Sequence, residues 1–414
     1  MATAFWDDDK AAKAADDGGF WASGHTPTLI AAFLYFDLAF MVWVLLGPLA
    51  PQISASLSLT PAEKGVMVAV PTLAGAVLRV VNGLLVDRIG PKRAGAISQL
   101  IVIGGLFSAW VLGVNSFGGT LALGVILGFA GASFAIALPL ASRWYPPEHQ
   151  GKAMGLAGMG NSGTVLAALF APALAKLFGW NAVLGLACLP LTLVFFAYMV
   201  MAKDAPGAPP PRRLVEYLAP LKQADAWWLM GFYAVTFGGF VGLAASLPIY
   251  FTDRFGLTPV QAGYATAACV FAGSLVRPMG GALADAIGGV KALLGVFAAA
   301  VTLTGVAMVD GFAASLALFV LSMLALGVGN GSVFQLVPQR FAAEIGVMTG
   351  LVGMAGGIGG FYLASSLGFA KQWTGSFSGG FLIFAALALI ALAGLMLVKT
   401  RWRRSWGAAE GVRI

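Results

Sequence analysis

Charge is scarce in this sequence: Asp, Glu, Lys and Arg make up 10% of its 414 residues, against 59% hydrophobic ones. A soluble domain of this size has no use for so much apolar surface, so that class is excluded. Cysteine and histidine are scarcer still. Cys188 and Cys269 both fall inside apolar runs and read as core-filling thiols, which argues against a disulfide pair or a Cys/His metal site. No nucleophile elbow, phosphate loop or zinc spacing is present, so neither an enzyme nor a bound cofactor is expected. The N-terminal MATAFWDDDKAAKAADD is acidic and has no apolar core after a basic start, so it does not read as a cleaved signal peptide.

What is present is a series of apolar runs of about 20 residues, the length that crosses a bilayer as a helix. Mean hydropathy is +0.88. Broken by Pro, Gly and charge, the runs predict an all-α membrane protein with twelve spans: 28–52, 63–86, 94–114, 119–141, 150–176, 180–201, 226–251, 259–284, 290–309, 312–337, 345–370 and 377–399. The segment KDAPGAPPPRRLVEYLAPLKQAD, 203–225, is too polar to span. The expected organisation is therefore a tail over 1–27, a six-helix bundle over 28–201, a linker over 202–225, a second bundle over 226–399 and a tail over 400–414. Along these spans eighteen of the 24 Lys and Arg residues fall on one side, and only Lys64, Lys176, Arg254 and Lys371 on the other. By the positive-inside rule the crowded side, with both termini, is the cytoplasm. The basic pI near 9.5 is then a topology signal and not a sign of nucleic acid. Both histidines, His25 and His149, lie at or outside the cytoplasmic edge, badly placed to relay a proton through the centre.

The two halves repeat. VLRVVNGLLVDRIGPKRA aligns without a gap on LVRPMGGALADAIGGVKA, pairing Arg79 with Arg277, Gly83 with Gly281 and Asp87 with Asp285; GLAGMGNSG (155–163) aligns on GLVGMAGGI (350–358). Parallel repeats around a central loop are the plan of carriers whose halves rock about a midplane site. Each Arg precedes its Asp by eight residues, so at 1.5 Å per residue it lies about 12 Å inside the helix end. Half the hydrocarbon thickness is about 15 Å, which puts both guanidiniums near the midplane. Two like charges meeting there need an anion between them. Their donor forks match a small planar oxyanion. The alternative, a structural carboxylate for each, fails on number: Asp37 is the one deep acid within the spans.

Helices 5 and 11 are rich enough in glycine to oppose helix propensity. Close packing through Gly151/Gly155 and Gly346/Gly350 is one reading. Backbone approach to a small ligand is the other, with Gly158 and Gly353 as the candidate positions and the Asn161 amide adding donors and an acceptor. Tyr233 and Phe237 share a helix face at i,i+4. Either they pack or, with Phe134, they sandwich a planar ion. Asp37 reads three ways: counter-ion to an arginine, proton-coupling carboxylate, or helix contact. The counter-ion reading is favoured because neighbouring arginines oppose protonation.

GLLVDRIGPKR resembles the loop between helices 2 and 3 of the major facilitator superfamily, and ALADAIGGVK is its weaker echo. Within it, WYPPEHQGKAMGLAGMGNSG, GLVGMAGGIGGF, the paired arginines and YAVTFGGFVG resemble the nitrate/nitrite porters over essentially all twelve spans. The resemblance implies a monomeric, multi-pass carrier of nitrate, nitrite or both in a bacterial inner membrane, coupled by exchange or by proton symport. It implies that Arg79 and Arg277 hold the anion, Asn161 contacts it, and Tyr233, Phe237 and Phe134 pack on it. Asp87, Arg88, Arg93 and Asp285 are the expected gating residues. Gly356 and Gly357 replace Asn161 and Ser162 in the second half, a departure that makes amide contacts one-sided. The alternatives are a carrier of another small anion, such as formate or oxalate, and a membrane anion receptor without flux.

Overall fold

The structure is a computed structural model describing residues 20–206, 214–301, 309–341 and 344–408. Every regular element among them is helical. In chain order the bundle helices are α1 (Thr26–Leu57), α2 (Pro61–Ile89), α3 (Pro91–Leu112), α4 (Phe117–Ser142), α5 (Pro147–Gly158, then Gly163–Phe178), α6 (Trp180–Met201), α7 (Ala224–Phe255), α8 (Pro259–Ile287), α9 (Gly289–Val301), α10 (Phe312–Arg340), α11 (Ile345–Thr374) and α12 (Ser378–Arg404), with short helical turns at Leu214–Tyr217 and Ala219–Lys222 between α6 and α7 and at Trp406–Ala408 after α12. Eleven of these are long and apolar enough to cross a membrane. The shorter one is α9. Its expected span, 290–309, runs into 302–308, which lie outside the described residues.

Helix starts are written locally. Thr60 and Thr258 each open a capping box, with Pro61 and Glu63, or Pro259 and Gln261, completing it. LTPAEKG and LTPVQAG are therefore one more repeat, in register with Arg79 and Arg277. Several helices are interrupted where the sequence reading made them continuous. α1 turns at Val44–Leu45, α4 at Ala132–Ser133 and α8 at Val276, and α5 tightens to a 3₁₀ turn over Met159–Ser162. At α8 the cause is chemical: Pro278 has no N–H to return to the preceding turn.

Glycine sets how closely the halves meet, since a bilayer supplies no hydrophobic drive between helices and association rests on close packing. α2 lies along α11 and α8 along α5. A methyl group built on Gly65 would stand 2.8 Å from Gly368 Cα, and one on Gly357 would stand 2.8 Å from Ala76 Cβ. One on Gly263 would run into Ala168 O and Pro172. The anticipated pairs are not the close ones: nothing lies within 4 Å of a methyl group at Gly155 or Gly346, and the Gly151 side-chain position lies outside the described residues. Instead Gly160 and Gly163 lock α5 onto the Phe36–Asp37 backbone of α1.

Charge is pushed to the helix ends. Lys64–Asp253 at 3.5 Å and Arg254–Asp310 at 2.5 Å close one end. Asp87–Arg143 at 3.3 Å and Asp225 with Arg340 and Arg401 occupy the other.

Candidate functional site

Arg79 projects from α2 into the seam between the halves and is 1% exposed. Its Nε donates to Gly131 O at 3.2 Å, and its Nη1 donates to Gly353 O. The break in α4 explains the first contact. Ala135 N bonds to Ala132 O, one residue tighter than an α-helix, so the Gly131 carbonyl is left over for the guanidinium. The second contact crosses from α2 to α11, tying the first half to the second through one side chain.

Arg277 opens the second segment of α8, just after its break. Its Nη2 donates to Tyr233 OH at 3.1 Å. Both guanidiniums address the same rings. Arg79 Cζ is 5.6 Å from the Phe134 centroid and 5.3 Å from Phe237; Arg277 Cζ is 5.9 Å from each. Tyr233 and Phe237 stack at 5.0 Å and 4° between planes. Trp43 adds a face to Arg79, and Phe334 adds one to Arg277. Aromatic quadrupoles hold the cations in place without neutralising them.

One nitrogen of each fork, Arg79 Nη2 and Arg277 Nη1, is buried with no partner among the described residues. Neither arginine takes part in any of the five ion pairs found there. Two desolvated cations with spare donors in low dielectric make a site with a charge deficit that a small anion would relieve.

The structure thus brings together Arg79, Arg277, Tyr233, Phe237, Phe134 and Gly353. It seats Gly353 as an acceptor for Arg79, and a side chain at Gly353 would press on that guanidinium at 3.3 Å. Asn161 is buried in the 3₁₀ turn, with its Oδ1 unpartnered among the described residues. Around it α5 packs on Phe36 and Asp37 of α1. Gly158 has nothing within 4 Å of a built methyl group, so it does not serve close packing. Gly356 shows why an amide cannot be repeated in the second half: a Cβ there would stand 2.8 Å from both the Tyr233 and Phe237 rings.

Asp37 corrects an expectation. Its partner is Ser162, whose Oγ donates to Oδ1 at 2.6 Å, and it forms no ion pair with either arginine. The carboxylate points to α5 and not to the arginine that the counter-ion expectation required. At the helix ends, Asp87 faces Arg143, the residue just after α4, and not the basic run that follows Asp87 itself. Arg88 and Arg93 are exposed. Lys92 instead ties α3 to α6 and the linker, its Nζ reaching Met199 O and its backbone N–H reaching Asp204 Oδ1, both at 2.8 Å. Asp285 is exposed near the end of α8.

Trp43, Phe334 and Arg143 were not singled out by the sequence reading. A further repeat would have pointed to α10: LGFAGASFAIALP (127–139) aligns with LGVGNGSVFQLVP (326–338), placing Phe334 one residue from the match of Phe134. From Phe134 a cavity of about 290 Å³ runs to the Asp87 end, lined also by Arg143, Tyr217 and Thr349. At the Lys64–Asp253 end the gap is about 10 Å³. The larger cavity thus reaches Phe134, the ring that both guanidiniums stand over, from the Asp87 end.

Comparison with known proteins agrees with this architecture. Residues 31–364 match the Major Facilitator Superfamily. The nitrite extrusion protein of Bacillus subtilis is 32% identical over 363 residues, spanning 87% of this chain and 90% of that protein. The probable nitrate/nitrite transporter NarK2 of Mycobacterium tuberculosis is 34% identical over 385 residues, 89% of this chain and 95% of its own. Among solved structures, a bacterial homologue of the human lysosomal transporter Spinster, in an inward-facing and occupied conformation, superposes with a TM-score of 0.67 at 18% identity, covering 90% of this chain and 96% of its own. The chain belongs to the nitrate/nitrite porter family of the major facilitator superfamily.

Proposed function

We propose that this chain carries nitrate, nitrite or both by alternating access, with the anion bridging Arg79 and Arg277. The observation that supports it is the pair of unpartnered guanidinium nitrogens, one from each half, over the shared Phe134 and Phe237 rings. A flat oxyanion can accept from both forks while its faces meet aromatic carbon. Asn161 and the glycine backbones of α5 and α11 complete the pocket as the halves close. The crowd of basic residues puts the Asp87 end in the cytoplasm of a bacterium, with the tails 1–27 and 400–414 and the linker 202–225 on that side. The cavity then opens inward. Asp87, Arg88, Arg93 and Asp285 mark the mouth that has to shut. The carrier acts as a monomer.

Empty, the site holds two uncompensated charges that resist being enclosed together, so the halves pass more readily loaded than empty. Exchange of nitrate for nitrite follows. It also resolves the energetics, because an anion entering against an inside-negative potential faces about 2.3 kcal/mol per 100 mV. One feature favours a second coupling, proton symport: Asp37 is a buried carboxylate whose partner is a neutral hydroxyl.

Proteoliposomes loaded with nitrite should take up labelled nitrate without a pH gradient, whereas nitrite-free vesicles should take up little. Formate and oxalate should compete weakly. Uptake that needs a pH gradient and ignores internal nitrite would establish the proton reading. Asp37→Asn keeps the Ser162 hydrogen bond as a neutral acceptor, so it should leave exchange within about threefold of the parent. Loss of pH-driven accumulation alone would assign Asp37 to the proton.

A further inference from the structure

Tyr217 lies in the segment that joins the halves, which reads from sequence as a polar spacer. It is nevertheless 2% exposed, and it lines the cavity that runs from the Asp87 end to Phe134. Two glycines locate its hydroxyl. A methyl group built on Gly83 of α2 would stand 2.5 Å from Tyr217 OH, and one on Gly350 of α11 would strike the same oxygen. The phenol therefore stands between the first and the second half, touching both.

The rest of the α2–α11 seam shows what this position would be without it. At the far end Gly65 meets Gly368, and at the middle Gly357 meets Ala76 and Thr72, helix backbone against helix backbone. Arg79 bonds Gly353 O one step further along. The next pair along the same faces is Gly83 and Gly350. Both lack the side chain that would keep two helices apart, and here the hydroxyl of a ring from outside the bundle lies against both. The seam is closed by direct contact of the two helices from the Lys64 end to Arg79, and beyond it the linker ring takes the place of that contact.

Building on the carrier reading, we infer that Tyr217 is a positioning residue of the transport cycle: it wedges the Gly83–Gly350 seam open while the cavity faces the Asp87 end, and must withdraw for that mouth to close. The linker thereby acts on the equilibrium between the two conformations, and not only as a tether. The hydroxyl is suited to this, since a polar tip tolerates the wet mouth while the ring fills the gap.

Spin labels at Arg88 and Glu344 report the width of this mouth; a second pair at Ala55 and Trp373 reports the other end. The native Cys188 and Cys269 are both buried. In Tyr217→Ala the near distance should shorten by about 3 Å or more, toward the close contact that small residues allow, and the far distance should lengthen. Exchange should fall about tenfold as the inward-open population is lost. Tyr217→Phe keeps the ring and should stay near the parent in both distances. Gly350→Leu installs a wedge that cannot leave: the mouth should stay open and exchange should be lost, while nitrate still raises the melting temperature. Unchanged distances in Tyr217→Ala, or normal exchange in Gly350→Leu, would overturn the wedge. The distances need no anion, so a parent protein that fails to exchange nitrate would remove the carrier reading and leave this test standing.

Discussion

Arg79→Lys should cut nitrate exchange by about 10- to 150-fold, although the charge is kept. The guanidinium does three jobs at once. Nε satisfies the carbonyl that the α4 break leaves over at Gly131, Nη1 holds Gly353 O of α11, and Nη2 is spare for the anion. An ammonium is a single point of donors on a flexible stem and cannot span these directions. Losing one charge-assisted bond to the anion costs about 1.5–3 kcal/mol, and each 1.4 kcal/mol is tenfold. The orphaned carbonyl at Gly131 adds a penalty that is paid even without substrate. Nitrate should accordingly raise the melting temperature of the parent, by linkage, and fail to raise that of Arg79→Lys at the same concentration. Exchange within threefold of the parent would show that charge alone, and not the planar fork, holds the substrate. Arg277→Lys should behave similarly but less severely, because among the described residues Arg277 has one hydrogen-bond partner, Tyr233, and is only partly buried.

The sequence made the spans legible because lipid imposes one requirement, a run of apolar residues long enough to satisfy its own backbone. Capping boxes at Thr60 and Thr258 then mark helix starts by local chemistry. Arg79 and Arg277 were legible for the complementary reason: charge deep in an apolar run is expensive, and its recurrence in the second half argued that it was retained for a purpose. Partners were harder. Whether Asp37 faces an arginine or Ser162 depends on the rotation of α1 against α5, which the approach of Gly160 and Gly163 decides. Asp87 has three cations close by in sequence, and it meets a fourth, Arg143, brought by α4. Tyr217 was hidden by its surroundings, since a proline-rich, charged stretch signals only that it does not span. In each case the missing information was which faces of two helices meet, and the glycines carry that information in a form readable only once the helices are placed.

Gly357→Val follows from that placement and should abolish exchange while the protein still inserts and purifies. Opposing effects have to be weighed. Removing a glycine from a helix interior favours the helix by up to about 1 kcal/mol for alanine, and less for a β-branched residue. Against this, a Cβ at Gly357 would stand 2.8 Å from Ala76 Cβ and 2.9 Å from Thr72 O, and the second contact is backbone that cannot swing aside. Overpacking of this kind costs about 1–3 kcal/mol, more when backbone must move. The strain is relieved by α11 backing away from α2, and that motion draws Gly353 O off Arg79 one turn earlier on the same helix. The anion site is then lost through a residue that does not touch the anion. Gly295→Ala is the control, since nothing lies within 4 Å of its built methyl group; it should match the parent within about twofold. Measured together, exchange, nitrate-dependent melting and the Arg88–Glu344 distance separate the outcomes. If Gly357→Val exchanges normally, then the α2–α11 approach does not position Arg79, and its hold on Gly353 is incidental to transport.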